Sequence, residues 1–280
     1  MNKTVLITGC SSGFGRATAQ FFSRNGWNVV ATMRDVSSAG ELMAQPNTLV
    51  TRLDVQDRAS VGEAIEHAIS RFGRIDVLIN NAGFGLHGIF ETTTSEKIQE
   101  QFDVNVFGAM NVTRALLPHF RANRAGVIVN VSSGAGVFTL PLISLYCASK
   151  FALEGFSEAL TYEVAPLGIT VKIVEPGGSL STNFGKRSGT EAAATVIDSD
   201  YDPIISDAGK RFQGLAEIAT ATADDVAAVI YGAATDGTEQ LRYVATKDIE
   251  PWVRSRRETS EAEYIKTMRH AFMSHPVSGS

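Results

Sequence analysis

The chain has 280 residues, of which 44% are hydrophobic, and a formal net charge of −5. This composition predicts a soluble cytoplasmic protein with a large core, and the lack of a lysine- and arginine-rich block argues against nucleic-acid binding. We also expect no membrane span and no metal site, because no apolar run is long enough and neither the cysteines nor the histidines have ligand spacing.

Short apolar segments alternate with helix-length segments along most of the chain. We predict strands over 4–8, 27–33, 48–53, 76–79, 126–131, 169–174 and 241–245. Nearly continuous apolar strands joined by helices are typical of a parallel sheet that is covered on both faces. The sequence therefore predicts an α/β fold, doubly wound, with a mostly parallel Rossmann-type sheet, as a single domain over 1–280.

The second half of the chain contains the longer helical patterns. We predict one helix over 95–120 with Pro118 near its end, a second over 144–165, and a third that begins after Thr222. Residues 177–215 are rich in small and polar residues with only a weak helical pattern, which favours an irregular lid over the substrate. The remainder, 248–280, is charged and is predicted to be a helical tail.

A glycine-rich loop connects the first strand to the first helix. Gly9, Gly13 and Gly15 would let the loop turn sharply and let the backbone approach a pyrophosphate, which the helix N-terminus would hold. Ser11, Ser12 and Phe14 lie in the same loop. The pattern predicts a dinucleotide site over residues 9–15.

Three motifs occur along the chain in an order that is typical of one known family. Thr8 and the Gly-x-x-x-Gly-x-Gly loop, then Asn80 to Gly83, then Tyr146-Cys-Ala-Ser-Lys150, together resemble the single-domain branch of the short-chain dehydrogenase/reductase family over residues 3–246. The resemblance implies a nicotinamide-dependent oxidoreductase. The stretches 31–35 and 146–155 are most similar to members that act on hydroxysteroids and retinoids and to bacterial carbonyl reductases. The glycine spacing disfavours the extended branch, which contains epimerases and dehydratases.

Tyr146 and Lys150 are the candidate acid and its neighbouring cation. Residues four apart on a helix share a face, and a nearby ammonium lowers the pKa of a phenol from its reference value of about 10. We therefore predict that Tyr146 protonates a carbonyl oxygen. By resemblance, Ser133 hydrogen-bonds the substrate oxygen, with Ser132 the less favoured neighbour, and Asn105 holds a water beside Lys150.

The end of the second strand indicates which nicotinamide nucleotide binds. Asp35 could accept from the ribose hydroxyls of NAD, whereas Arg34 could pair with the 2′-phosphate of NADP. Because Arg34 directly follows the predicted strand, we favour NADP, with help from Ser11 or Ser12. The resemblance adds further contacts with the cofactor: Asp54, Val55, Asn81, Ala82, Gly83, Tyr146, Lys150, Pro176, Gly177 and either Ser181 or Thr182.

Apolar side chains dominate the predicted substrate pocket, which suits a bulky hydrophobic ketone, aldehyde or alcohol. The predicted lining is Ser133, Tyr146, His87, Leu140, Leu142 and Phe184, with Phe84, Leu86 and Phe138 as further candidates. We predict an NADPH-dependent carbonyl reductase or the reverse activity. The alternatives are a non-catalytic NADP(H)-binding regulator and an NAD-linked alcohol or hydroxysteroid dehydrogenase. By resemblance, the chain forms a homodimer or homotetramer through the helices at 95–120 and 144–165.

Overall fold

Seven parallel strands form one sheet in the order β3-β2-β1-β4-β5-β6-β7 in the computed structural model, which describes residues 2–178, 198–218 and 220–273. The strands are β1 (Thr4–Ile7), β2 (Asn28–Met33), β3 (Thr48–Arg52), β4 (Val77–Asn80), β5 (Gly126–Val131), β6 (Ile169–Glu175) and β7 (Arg242–Val244). Each predicted strand is present, and the doubly wound α/β fold is confirmed.

Helices cover both faces of the sheet. They are α1 (Gly13–Arg24), α2 (Arg58–Phe72), α3 (Ser95–Phe102), α4 (Ala109–Asn123), α5 (Ser144–Val164), α6 (Asp202–Ile218), α7 (Ala223–Thr235), α8 (Glu250–Glu258) and α9 (Glu261–Phe272). Side chains of α1 and α7 pack in the core on one face, and side chains of α2, α4 and α5 pack in the core on the other.

The alternation of side chains along β1 shows how these two cores arise. Val5 and Ile7 point to the core that contains Phe22 of α1, whereas Leu6 points to the core that contains Leu116 of α4. Successive side chains of a strand project to opposite faces, so a strand that is buried on both faces needs apolar residues at every position. This explains why β1 consists of Thr-Val-Leu-Ile and is buried throughout.

The sheet order places a crevice between β1 and β4. The chain builds the sheet outward from β1 to β3, then returns to start again at β4 on the other side of β1. At such a switch point the loops that follow the two central strands diverge to opposite faces and leave room for a ligand. Thr8 and Asn81 directly follow these two strands and therefore lie at the mouth of the crevice.

The helix predicted over 95–120 is wrong in one respect, because it is divided by a π-helical turn at Asp103–Gly108. The wider turn lets the Asn105 side chain bond to Phe84 and brings Gly108 against Val55, where an added Cβ would lie 2.6 Å from Cγ2 of Val55. The helix also continues through Pro118 to Asn123. Burial of Leu116 and Phe120 against the sheet compensates for the backbone hydrogen bond that Pro118 lacks.

The segment predicted as irregular over 177–215 is also partly wrong, because α6 occupies Asp202–Ile218. Pro203 lies in the first turn of this helix, where proline is tolerated, and Ala208 is fully buried. Tertiary contacts therefore stabilise a helix that the local pattern indicates only weakly. Residues 179–197 lie outside the described residues. In the segment predicted as a helical tail, α8 and α9 follow β7, and residues 274–280 lie outside the described residues.

Candidate active site

A hydrogen-bond network joins the loops that follow β1 and β4. The Thr8 hydroxyl accepts hydrogen bonds from the backbone N–H groups of Asn81 and Ala82, each at 3.0 Å. In return, the Asn81 amide donates to the Thr8 carbonyl at 2.8 Å. Sequence reasoning did not assign a role to Thr8, although its position immediately before the first motif glycine could have indicated one.

The glycine-rich loop is packed too closely for side chains at two of its glycines. A Cβ on Gly15 would lie 2.3 Å from the Gly9 carbonyl oxygen, and Gly9 itself has a φ of +74°. Ser12 precedes α1 but provides no side-chain cap, so the first N–H groups of the helix are available to an anion. Ser11 and Ser12 are exposed. These features fit a pyrophosphate at the predicted position.

In the loop after β2, the side chains of Arg34 and Asp35 have different surroundings. β2 ends at Met33, as predicted, and Arg34 follows as an exposed side chain. A carboxylate oxygen of Asp35 accepts from the N–H of Ser37 at 2.9 Å and from its hydroxyl at 2.7 Å. These hydrogen bonds lower the pKa of Asp35. The acid therefore caps the turn that follows, whereas no ion pair engages Arg34 within residues 2–178, 198–218 and 220–273.

The predicted adenine contacts follow β3 at the same edge of the sheet. Val55 is buried, and its carbonyl accepts from the Asn111 side chain at 3.1 Å. Asp54 is partly exposed and accepts from the N–H of Gln56 at 3.1 Å. Both residues are thus fixed beyond the end of β3, which pairs with β2, and an adenine held there would lie beside the predicted ribose site.

Ser133, Tyr146 and Lys150 come together at the carboxyl end of β5. Tyr146 and Lys150 lie on α5 and are buried, and Lys150 Nζ lies 5.8 Å from the centroid of the Tyr146 ring. Lys150 Nζ donates to the Val131 carbonyl at 2.9 Å. The Ser133 side chain hydrogen-bonds Tyr146 and accepts from the N–H of Ala135 at 3.1 Å. Ser132, the less favoured neighbour, is buried.

The ionisation of this group differs from our expectation. Burial raises the pKa of Tyr146 to about 12, although the hydrogen bond from Ser133 acts in the opposite direction. Burial also lowers the pKa of Lys150 to about 8. We expected the ammonium to lower the pKa of Tyr146, but burial is the largest influence on this group and raises the pKa. Tyr146 is therefore a protonated phenol at neutral pH, which is the form that a proton donor requires.

Asn105 holds the loop after β4 against this group. Its amide donates to the Phe84 carbonyl at 2.8 Å and to the Ser149 hydroxyl at 3.1 Å, and its carbonyl oxygen accepts from the N–H of Phe84 at 3.0 Å. A Cβ on Gly83 would lie 3.2 Å from Oδ1 of Asn105 and 3.7 Å from Nζ of Lys150. Asn105 and Lys150 thus lie on the same side of Gly83.

The predicted substrate residues divide into two groups. Leu142 lines a cavity of about 270 Å³ together with Ser144, Tyr201 and Ile204, and His87 packs against Phe212 of α6 with 5.8 Å between ring centroids. The second group packs mainly into the protein interior: Phe84, Leu86, Phe138 and, in part, Leu140. Phe184, Ser181 and Thr182 lie outside the described residues. Pro176 and Gly177 follow β6 beside Ser133.

Within residues 2–178, 198–218 and 220–273, no group of three or more His, Cys, Asp and Glu side chains could hold a metal ion. No helix in the same residues has the length and apolar character needed to cross a membrane.

Comparison with known sequences identifies relatives. The family model for short chain dehydrogenases matches residues 3–193. An uncharacterised oxidoreductase of Schizosaccharomyces pombe is 40% identical over 238 residues, which are 85% of this chain and 98% of the relative. The 3-ketodihydrosphingosine reductase of Bacteroides thetaiotaomicron is 47% identical over 180 residues, 64% of this chain and 65% of that reductase. Retinol dehydrogenase 8 of Bos taurus is 38% identical over 212 residues, 72% of this chain and 67% of that protein.

Solved structures give the same result for the fold. A short-chain dehydrogenase from Streptomyces avermitilis has a TM-score of 0.82 at 32% identity and covers 99% of both chains. A Burkholderia phymatum member in complex with NAD has a TM-score of 0.80 at 26% identity, with 99% and 98% covered. ElxO with NADP bound has a TM-score of 0.71 at 27% identity, with 88% and 98% covered. The chain therefore belongs to the short-chain dehydrogenase/reductase family of oxidoreductases.

Proposed function

We propose that this chain is an NADPH-dependent oxidoreductase that reduces the carbonyl group of a bulky apolar ketone or aldehyde to an alcohol, or catalyses the reverse reaction. The contact between Ser133 and a protonated Tyr146, with Lys150 alongside, carries this proposal. These three side chains lie at the carboxyl ends of the strands, beside the crevice in which nucleotides bind in such sheets.

Each of the three side chains has a distinct role in the proposed reduction. When bound, NADPH supplies the hydride for the carbonyl carbon. Ser133 orients the carbonyl oxygen by hydrogen bonding, and Tyr146 gives its phenolic proton to that oxygen as negative charge develops there. The Lys150 ammonium stabilises the resulting phenolate. Asn105 holds a water beside Lys150, through which solvent returns the proton to Tyr146. In the reverse direction Tyr146 accepts the proton from the alcohol.

The choice of NADP over NAD rests on the loop after β2. A 2′-phosphate needs a cation, which Arg34 supplies at the first position after the strand. Two ribose hydroxyls would need an acid at the end of the strand, whereas Asp35 lies one residue after Arg34 and its Oδ1 accepts hydrogen bonds from Ser37. Among solved relatives, one is in complex with NAD and another has NADP bound, so both nucleotides fit this fold.

The apolar character of the substrate is supported by the cavity and by the relatives. Ile89, Phe90, Leu142 and Ile204 line the cavity near the start of α5, and Phe212 packs on His87, which precedes Gly88 of the lining. The names 3-ketodihydrosphingosine reductase and retinol dehydrogenase 8 both denote substrates with long apolar chains. We therefore propose a long or bulky apolar molecule with one ketone, aldehyde or secondary or primary alcohol group.

The test is nicotinamide absorbance followed during incubation with long-chain ketones, aldehydes, steroids and retinoids, with NADPH and NADH in parallel. We expect turnover of at least one carbonyl compound with NADPH, at a higher kcat/KM than with NADH. A higher kcat/KM with NADH would instead support the NAD-linked dehydrogenase. Tight NADPH binding without turnover of any compound would contradict the enzymatic proposal and favour the regulator.

A further inference from the structure

Arg16 connects the two loops that border the proposed 2′-phosphate site. It lies in the first turn of α1, immediately after Gly15. One terminal nitrogen, Nη2, donates to the carbonyl oxygens of both Ser11 and Ser38, each at 2.5 Å. Ser11 belongs to the glycine-rich loop, and Ser38 lies in the turn that follows β2. A single guanidinium group therefore sets the spacing between these two loops.

Arg34 and Arg16 both adjoin the loop after β2, although Arg34 belongs to that loop and Arg16 belongs to α1. Arg34 begins the segment that leads from β2 to the turn at Val36–Ala44, and Ser38 lies within that turn. The N–H of Ser38 donates to the Asp35 carbonyl at 3.2 Å, which ties Ser38 to the residue next to Arg34. The Arg16 contact with Ser38 therefore holds the turn that directly follows Arg34 and Asp35.

The charge of Arg16 is not neutralised by an acid in the part of the chain that the structure describes. Its two acceptors there are neutral carbonyl groups, and its Nε–H is buried without a hydrogen-bond partner in the same residues. Asp35 directs its Oδ1 to Ser37 and forms no ion pair with Arg16. A guanidinium offers five N–H donors, so two carbonyl contacts leave most of its capacity for an anion. The positive charge therefore remains available to the ligand site.

We propose that Arg16 is a second determinant of NADP specificity, which holds the Ser11 and Ser38 loops at the spacing that a 2′-phosphate needs and adds positive charge beside Arg34. This inference rests on the proposed NADPH dependence. A residue that only stabilised the loops would affect both dinucleotides equally, because NAD and NADP share every group except the 2′-phosphate. Arg16 should instead discriminate between them.

The experiment is calorimetric titration of the purified protein with NADP⁺ and NAD⁺, and with the fragments 2′,5′-ADP and 5′-AMP. Arg16→Met removes the charge and the bridge but keeps an apolar side chain of similar length. We expect it to weaken NADP⁺ and 2′,5′-ADP at least ~10-fold, the scale of one charge-assisted hydrogen bond, and to change NAD⁺ and 5′-AMP less than ~3-fold. Arg16→Lys keeps the charge but not the planar guanidinium group. Its affinity for NADP⁺ and 2′,5′-ADP should lie between those of the wild type and Arg16→Met.

A control and the contrary outcomes make this test specific. Arg24→Met removes a cation from the other end of α1, where Arg24 pairs with Asp224 on the surface, and should leave both affinities unchanged. Equal losses for NADP⁺ and NAD⁺ in the Arg16 variants, or no loss in either variant, would overturn the inference while leaving NADPH dependence intact. Equal affinity of the wild type for the two dinucleotides would overturn the proposed NADPH dependence itself. If Arg16→Met does not fold by circular dichroism, the Arg16→Lys titrations decide.

Discussion

At the end of β2, two adjacent side chains of opposite charge determine the proposed choice of cofactor. Arg34→Glu should raise the KM for NADPH at least ~10-fold, because it replaces the cation that pairs with the 2′-phosphate by a repulsive anion. The KM for NADH should change much less. Steady-state kinetics with both cofactors checks this.

Arg121→Glu provides the matched control for the Arg34 variant. It makes the same change of charge at an exposed position in the last turn of α4, away from the glycine-rich loop. We expect it to leave both KM values unchanged. Equal changes of the two KM values in Arg34→Glu would remove Arg34 from the NADP site.

The pH dependence of reduction should be set by Lys150. Burial lowers its pKa to about 8, whereas Tyr146, with a pKa of about 12, stays protonated far into the alkaline range. As the pH rises through about 8, Lys150 loses the charge that stabilises the phenolate, so kcat for reduction should fall. The measurement is kcat against pH at saturating NADPH.

Lys150→Arg tests the cause of that fall. An arginine keeps its charge up to a pH of about 12, so any activity that remains in this variant should not decrease near pH 8. Only the shape of the profile matters, since the absolute rate also depends on geometry. The same alkaline decrease in both proteins would show that a group other than Lys150 causes it.

Sequence motifs predicted individual residues well where chemistry and spacing coincide. Ser133, Tyr146 and Lys150 were predicted from their positions, and the structure brings them into one group. Thr8 and Arg16 were missed because their partners are carbonyl and N–H groups distant in the chain or in neighbouring loops. The raised pKa of Tyr146 was missed for a related reason: burial depends on the whole fold, whereas the spacing to Lys150 is local.

Among the secondary-structure elements, β6 and β7 share a buried cation. Lys172 is 2% exposed, and its Nζ donates to the carboxylate of Asp236 at 3.2 Å and to the hydroxyl of Tyr243 at 2.9 Å. Asp236→Asn should cost about 3 kcal/mol in the free energy of unfolding, because it leaves a buried charge without its counterion. Urea denaturation measures this value.

Asp224→Asn is the control for the Asp236 variant. Asp224 also pairs with a cation, Arg24, but its side chain is 62% exposed, so the loss should be at most ~1 kcal/mol. Similar losses in the two variants would contradict the role assigned to burial.

The pH dependence of unfolding is a second check on Asp236. Burial raises its pKa, but hydrogen bonds, chiefly from Tyr243, outweigh burial and lower the pKa to about 2 from 3.8. The stabilisation of the folded protein by ionised Asp236 is therefore present above pH 3.8 and is lost as the pH falls toward 2.

The elements themselves were predictable where the pattern is periodic. Apolar strands such as β1 and the tail helices α8 and α9 were predicted from their local sequence. The π-helical turn at Asp103–Gly108 was not predictable from the local sequence, because it depends on contacts of Asn105 and Gly108 with other loops. Helix α6 was also not predictable, because packing of residues such as Ala208 stabilises it more than its local pattern indicates.

On the scale of the whole molecule, an apolar strip on α5 supports the predicted assembly. Phe151 and Tyr162 are 37% and 74% exposed, and eleven residues place them on one face of the helix. Small exposed residues continue this face: Gly155 and Ala159 lie between the two aromatic residues, and Ala148 lies one turn before Phe151. The double variant Phe151→Glu, Tyr162→Glu should therefore dissociate a homodimer or homotetramer into monomers, as measured by analytical ultracentrifugation.

Ile265→Glu is the control for this pair, since Ile265 is 38% exposed on α9 and lies outside the strip. It should leave the sedimentation of the protein unchanged. A wild-type chain that sediments as a monomer, or a double variant that keeps the wild-type mass, would show that α5 does not form the predicted interface.

The role of Tyr146 as proton donor is tested most directly by comparing Tyr146→Phe with Tyr162→Phe in single-turnover reduction by NADPH. Both variants remove one hydroxyl from α5, but Tyr146 is buried beside Ser133 and Lys150, whereas Tyr162 is 74% exposed in the single chain. We predict that Tyr146→Phe lowers the rate at least ~10²-fold, the usual scale of general acid catalysis, and that Tyr162→Phe leaves it unchanged. A near-normal rate in Tyr146→Phe would contradict the proposed mechanism.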